Sequence, residues 1–237
     1  MITTFITGAN KGIGFEIAKQ LLQGGAHVIV GARNQERGMT AIKALSSFGK
    51  VDLVLIDVAN LNSVRTAAVE LRKFDKLNLL INNAGIPGDM KKAGFDFTVD
   101  ELLETHATDF IGPFELSKLL LPLLTVNRGR ICNISIPIEP LPIFNAFAYQ
   151  TAKAPLNVMT KSWGLTFKQR NIPVEIFAIM PGGVTTELNG YHTGPGMKTV
   201  QQAGKLIVDI LKDGKTHNGE VINHDGTLAD YMAGANL

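Results

Sequence analysis

The sequence predicts a single α/β domain over residues 1–237, in which a doubly wound parallel sheet carries helices on both faces. Three observations predict it. Short β-branched runs alternate with longer helical patterns along the chain, and no repeat, low-complexity tract or linker interrupts the series. With 237 residues, 45% of them hydrophobic, the chain can bury one substantial core. Strict alternation of strand and helix implies right-handed crossovers, and so parallel strands covered from both sides.

Residues 2–7 are all β-branched or aromatic and read as the first strand. An amphipathic helix over 12–23 follows the first glycines, and the run His-Val-Ile-Val-Gly at 27–31 reads as the second strand. A helix over 35–46 leads to a strand at 51–56, and a helix near 61–71 leads to a strand at 77–81. The long helical pattern over 101–124 contains Gly112-Pro113, where a break or bend is expected because proline removes a helix hydrogen bond. Strands at 130–134 and 174–179 flank a helix over 149–169. A helix at 199–211 and a short strand at 220–223 finish the series.

Composition narrows the function. Net charge is +2, from 23 basic and 21 acidic residues, so nothing draws the whole molecule toward nucleic acid or an anionic membrane. Anion binding must come from a local site. The single cysteine, Cys132, cannot form an internal disulfide or supply a metal cluster, and its apolar neighbours make it a small buried hydrophobe. His217 and His224 lack ligand spacing with any partner, so no metal is expected. The N-terminal apolar run is short and lacks a basic flank, which argues against a signal peptide. No stretch reaches about 18 uninterrupted apolar residues. A cytoplasmic location is expected.

The first strand runs directly into Thr7-Gly8-Ala9-Asn10-Lys11-Gly12-Ile13-Gly14, and a helix follows. Glycines at Gly8, Gly12 and Gly14 permit a tight turn and let the backbone approach a pyrophosphate, while the helix start offers unpaired N–H groups. This is a Rossmann-like arrangement. No Gly-Lys-Ser/Thr sequence follows, which disfavours a P-loop. The end of the second strand reads Val30-Gly31-Ala32-Arg33-Asn34, without the carboxylate that holds a ribose 2′-hydroxyl in NAD sites. Arg33 suits a 2′-phosphate instead, and Lys11 offers a second positive charge. NADP(H) is the expected cofactor.

Three further motifs fall in order: Asn82-Asn83-Ala84-Gly85 after the fourth strand, Tyr149-Gln150-Thr151-Ala152-Lys153 entering a late helix, and Pro181-Gly182 after the sixth strand. With these motifs and its Thr-Gly-x-x-x-Gly-x-Gly opening, the chain resembles the short-chain dehydrogenase/reductase family from Thr3 to about Gly226. The resemblance is to its single-domain carbonyl reductases. It implies that Asn10, Gly12, Ile13, Pro181 and Gly182 belong to the dinucleotide site. Asp57 and Val58 would lie at the adenine, Ala84 and Gly85 at the ribose, and Val184 and Thr186 at the nicotinamide carboxamide. Asn83 belongs to the same set but is read chiefly as a bridge between strands. The family's tyrosine, here Tyr149, exchanges the substrate proton. Lys153, one helical turn on, shares its face and is expected to favour the ionised phenol and to reach the nicotinamide ribose.

Two catalytic positions depart from that family. Its serine most often stands thirteen residues before the tyrosine, where this chain has Ile136, with Ser135 one place early. A one-residue offset in an extended chain reverses the facing, unless a bulge restores it. The position of the family's helical asparagine, counted back from Gly112, is held by Asp109. The resemblance further implies a small-molecule carbonyl or alcohol substrate, in a pocket lined by Ile86, Pro87, Ile136, Pro137, Ile138 and Phe144. His192 falls on a glycine-rich loop over that pocket, a plausible lid, while His106 is peripheral. Trp163 is core or interface, and a homodimer or homotetramer is implied. Two readings remain open: an NADPH-dependent carbonyl/alcohol oxidoreductase, or an NADP(H)-binding sensor with little turnover.

Overall fold

Successive residues of a strand face opposite sides of its sheet, and here both sides are apolar. The computed structural model describes residues 1–140 and 145–229. Its strands are β1 (Thr3–Thr7), β2 (His27–Ala32), β3 (Val51–Leu55), β4 (Leu79–Asn82), β5 (Arg130–Ile134), β6 (Glu175–Ile179) and β7 (Val221–Ile222). They form one sheet in the order β3-β2-β1-β4-β5-β6-β7, every pair parallel. The helices between them are α1 (Gly12–Gln23), α2 (Gln35–Leu45), α3 (Leu61–Leu71), α4 (Val99–His106), α5 (Gly112–Val126), α6 (Phe147–Gln169) and α7 (Val200–Leu211).

Alternation along the strands divides the core in two. Phe5, Leu80, Ile131 and Ile176 pack against Val64 of α3, Leu120 of α5 and Leu156 of α6. Their neighbours Ile6, Ile81, Cys132 and Phe177 pack on the other face, against Ile17 and Leu21 of α1 and Ile207 and Leu211 of α7. Burial pushes the Cys132 thiol up to about 12, so it is inert at neutral pH. Between β1 and β4 the direction of winding reverses, which opens a crevice at the strands' C-terminal ends, the usual ligand position in such sheets.

Most element boundaries lie within two residues of the sequence reading. The long helix differs in an instructive way. It begins at Val99, where Thr98 and Glu101 form a reciprocal cap. Before Gly112 it widens into a π-helical turn, Ala107–Ile111, in which the Gly112 N–H donates to the Ala107 carbonyl. The expected break is therefore a change of winding just ahead of Pro113, whose ring supplies no N–H to the turn before it. A Cβ at Gly112 would run into the Val58 carbonyl, so only glycine lets this helix lie against the loop after β3. Among the described residues no helix is long and apolar enough to cross a membrane.

Candidate active site

The ends of β1 and β4 are locked together before any ligand binds. The Thr7 hydroxyl oxygen accepts from the Asn83 and Ala84 N–H groups at 3.0 and 3.1 Å. The Asn83 side-chain amide donates to the Thr7 carbonyl at 2.9 Å and approaches that of Gly8 at 3.3 Å. Asn83 thus bridges the strands. Gly8 and Gly12 have φ of 68° and 59°, a region that side chains rarely adopt, so the loop around Asn10 needs glycine at both turns. Lys11 is the N-cap of α1 but no side chain caps that end, and the first turn carries no acid. The N–H groups at Gly12, Ile13 and Gly14 therefore start a helix with no side-chain acceptor of their own, which suits an anion.

Arg33 follows β2, exposed and without an ion-pair or hydrogen-bond partner among the described residues. Asn34 caps α2 by accepting from the Arg37 N–H at 2.9 Å. Lys11 has its ammonium 2.8 Å from the Glu187 carboxylate. That carboxylate also feels the charge of Arg37. Neither Glu187 nor Arg37 was singled out by sequence; Arg37 had a signal in its place one helical turn beyond Arg33.

The other residues expected at the cofactor line the same edge. Asp57 is half-buried and accepts from the Ala59 N–H at 3.1 Å, and Val58 is buried. Pro181 and Val184 are buried, Gly182 has φ of 76°, and Thr186 caps the short turn Glu187–Asn189. Ala84 packs beside Gly8. Gly85 comes so close to Asp109 that a Cβ there would stand 2.5 Å from its Oδ1. These features fit a dinucleotide: a glycine turn at a bare helix start and, beyond β2, a guanidinium with no partner among the described residues.

The chemical groups converge from three elements. Tyr149 is half-buried near the start of α6, and the Lys153 ammonium lies 5.7 Å from its ring centre. Lys153 is 1% exposed; its Nζ donates to the Ile134 carbonyl at 3.1 Å and pairs with Asp109 Oδ1 at 3.2 Å. The π-helical turn delivers Asp109, whose Oδ2 accepts from the Ile86 N–H at 3.3 Å. Its Oδ1 makes no well-aligned hydrogen bond, so the ion pair is its principal compensation. Burial pushes the Asp109 carboxyl up to about 6, against the opposing pull of Lys153 and the Ile86 N–H. Burial and the Asp109 charge also push the Tyr149 phenol up.

Ser135 continues the strand alternation: its N–H donates to the Ile179 carbonyl at 2.9 Å, and its side chain faces α6 as that of Asn133 does. Its hydroxyl donates to Asn157 Oδ1 at 2.6 Å, both residues being buried. Asn157, one turn beyond Lys153, was not anticipated; the four-residue spacing was its only signal. Ile136 is half-buried. Ile86, Pro87 and Ile138 are half-buried and Pro137 exposed, while Phe144 lies outside the described residues. His106 contacts the Leu102 carbonyl through Nδ1 at 2.8 Å, and His192 is exposed.

A family model described as short chain dehydrogenase matches residues 3–194. Among curated proteins, an L-fucose dehydrogenase of Bos taurus is 32% identical over 190 residues, covering 77% of this chain and 66% of the bovine protein. An uncharacterized oxidoreductase of Escherichia coli, YohF, is 32% identical over 218 residues, covering 90% of this chain and 83% of its own. Among solved structures, an NADPH-bound carbonyl reductase from chicken fatty liver superposes with a TM-score of 0.86 at 24% identity, covering 97% of this chain and 98% of its own. A short chain dehydrogenase of Burkholderia cenocepacia J2315 in complex with NADP gives 0.84 at 22%, covering 95% and 96%. At such identities these two structures establish the shared fold.

Proposed function

Since the chain belongs to the short chain dehydrogenase family of oxidoreductases, we propose that it is an NADPH-dependent reductase of small or medium apolar carbonyl compounds. The observation that carries this reading is the buried Lys153–Asp109 pair beside Tyr149, packed against Gly85 at the end of the sheet. Bound NADPH supplies the hydride for the carbonyl carbon. Tyr149 donates its proton to the carbonyl oxygen and is reprotonated from solvent. A phenol pushed up by burial and by Asp109 stays protonated at neutral pH, which suits reduction better than alcohol oxidation. Lys153 is held by Asp109 and the Ile134 carbonyl, and from there it would bind the cofactor ribose. Consumption of NADPH across a panel of ketones and aldehydes tests the reading; none with any carbonyl would remove it.

Cofactor choice follows from charge. Arg33 has no partner among the described residues, and Arg37 adds a second cation one turn on. Arg33→Ala is expected to weaken NADPH by roughly ten- to a hundredfold, the range for losing a charge-assisted hydrogen bond, and to leave NADH nearly unaffected. Fluorescence titration with both cofactors checks this. Equal losses for the two would remove the 2′-phosphate argument. The exposed apolar residues Val99, Leu103, Ile111, Val158 and Leu165 on the α4–α6 side favour a homodimer or homotetramer.

A second reading, a dinucleotide-binding sensor with little turnover, is favoured by one observation: Ser135 gives its only proton to Asn157. Two substitutions separate the readings. If the site lacks a hydroxyl donor on the substrate side, Ile136→Ser raises carbonyl turnover by roughly tenfold, part of the 10²–10³ that such a donor contributes, and Ser135→Ala changes turnover little. A large loss from Ser135→Ala without a gain from Ile136→Ser would make Ser135 the working serine. No response to either substitution would favour the sensor.

A further inference from the structure

Two loops border the dinucleotide crevice, and one ion pair joins them. Lys11 belongs to the glycine-rich loop, and Glu187 opens the short turn Glu187–Asn189 after β6; the two charges are 2.8 Å apart. Among the described residues this is the only hydrogen bond or ion pair between residues 8–14 and 183–198.

The Glu187 side of the link is self-supporting. The Asn189 side chain accepts from the Thr186 N–H at 3.1 Å and donates to the Val184 carbonyl at 3.0 Å. The Thr185 hydroxyl donates to the His192 carbonyl at 2.9 Å. At its base the Lys198 N–H donates to the Gly183 carbonyl and the Thr185 N–H to that of Lys198, both at 2.9 Å. A turn tied this way moves as one piece, so a contact at Glu187 controls the whole segment. Lys11, by hydrogen bond and by charge, and Arg37 by charge, hold the Glu187 carboxyl below the usual carboxylate range, so it is an anion at neutral pH.

We propose that Glu187 is a positioning residue for the dinucleotide: with Lys11 it forms a clasp between the glycine-rich loop and the turn after β6, and the clasp slows cofactor release. The proposal rests on the NADP(H) reading above. It also predicts a sign that simple electrostatics reverses. A carboxylate beside a phosphate-binding loop repels the ligand, so without a clasp its neutralisation would tighten binding and slow release. With a clasp, the same change loosens the closing segment and release accelerates.

The test is the release rate of NADPH, chased with excess NADP⁺ and followed by nicotinamide fluorescence in stopped flow. Glu187→Gln is expected to release NADPH about two- to fivefold faster, the range an exposed pair can supply. The double variant Lys11→Met with Glu187→Gln should release it no faster than Lys11→Met alone, since one broken link cannot be broken twice. Raising salt should bring the wild-type rate toward that of Glu187→Gln, because an exposed pair is screened. Unchanged or slower release in Glu187→Gln, or multiplying effects in the double variant, overturns the clasp alone. A wild-type protein that binds neither NADPH nor NADH overturns the dinucleotide reading, and the clasp with it.

Discussion

Tyr149→Phe is expected to lower carbonyl reduction by about 10²–10⁴-fold, the contribution of a positioned general acid, while leaving NADPH affinity nearly unchanged. The ring is half-buried with the Lys153 ammonium 5.7 Å from its centre, and phenylalanine preserves that packing. Among the described residues the Tyr149 hydroxyl has no hydrogen-bond partner, so its removal orphans no buried group. Only the transferable proton is lost. Steady-state NADPH oxidation reads the first part, and fluorescence titration the second. Turnover near the wild-type level would require another proton donor, and His106, tied to the Leu102 carbonyl, is poorly placed to serve. A parallel loss of NADPH affinity would mean that Tyr149 holds the cofactor as well as the proton.

The fold was legible because each strand carries its own local signal. Apolar β-branched runs recur with helical patterns between them, and the parallel direction of the strands, though not their order, follows from that alternation. The facing of Ser135 was also within reach of sequence. A period of two puts Ile131, Asn133 and Ser135 on one side of β5, and the continued backbone pairing at Ser135 means that no bulge intervenes. What sequence could not supply were meetings between distant elements. Counting back from Gly112 reaches Asp109 and already sets its charge near Lys153, but it shows neither the widened turn that makes the contact nor the bare Gly85 that makes room for the carboxylate. Lys11 was read as a second positive charge for the 2′-phosphate, and its pairing with Glu187 was not foreseen, because Glu187 lies on a loop far along the chain.

Lys153→Met tests that buried pair and has the largest expected effect on stability. Methionine fills a similar volume, but it leaves Asp109, which is 0% exposed, without its compensating charge. Removing one partner of a buried pair costs about 3–5 kcal/mol. The pH dependence has a definite sign. The fold raises the Asp109 carboxyl from 3.8 to about 6, so it favours the protonated acid. That contribution is complete below the unfolded value and is lost as pH rises through the folded one. Without the ammonium the carboxyl rises further, so the deficit of Lys153→Met should be large at pH 8 and should shrink by pH 5, where Asp109 takes up a proton. Adding Asp109→Asn should restore most of the stability at pH 8, because no buried charge remains. Carbonyl turnover should stay lost in the double variant, since no ammonium is left to meet the ribose. Urea unfolding of the wild type, Lys153→Met, Asp109→Asn and the double variant at both pH values gives the comparison. A deficit independent of pH would mean that Asp109 titrates as an ordinary carboxyl. An active double variant would reduce Lys153 to the counter-ion of Asp109.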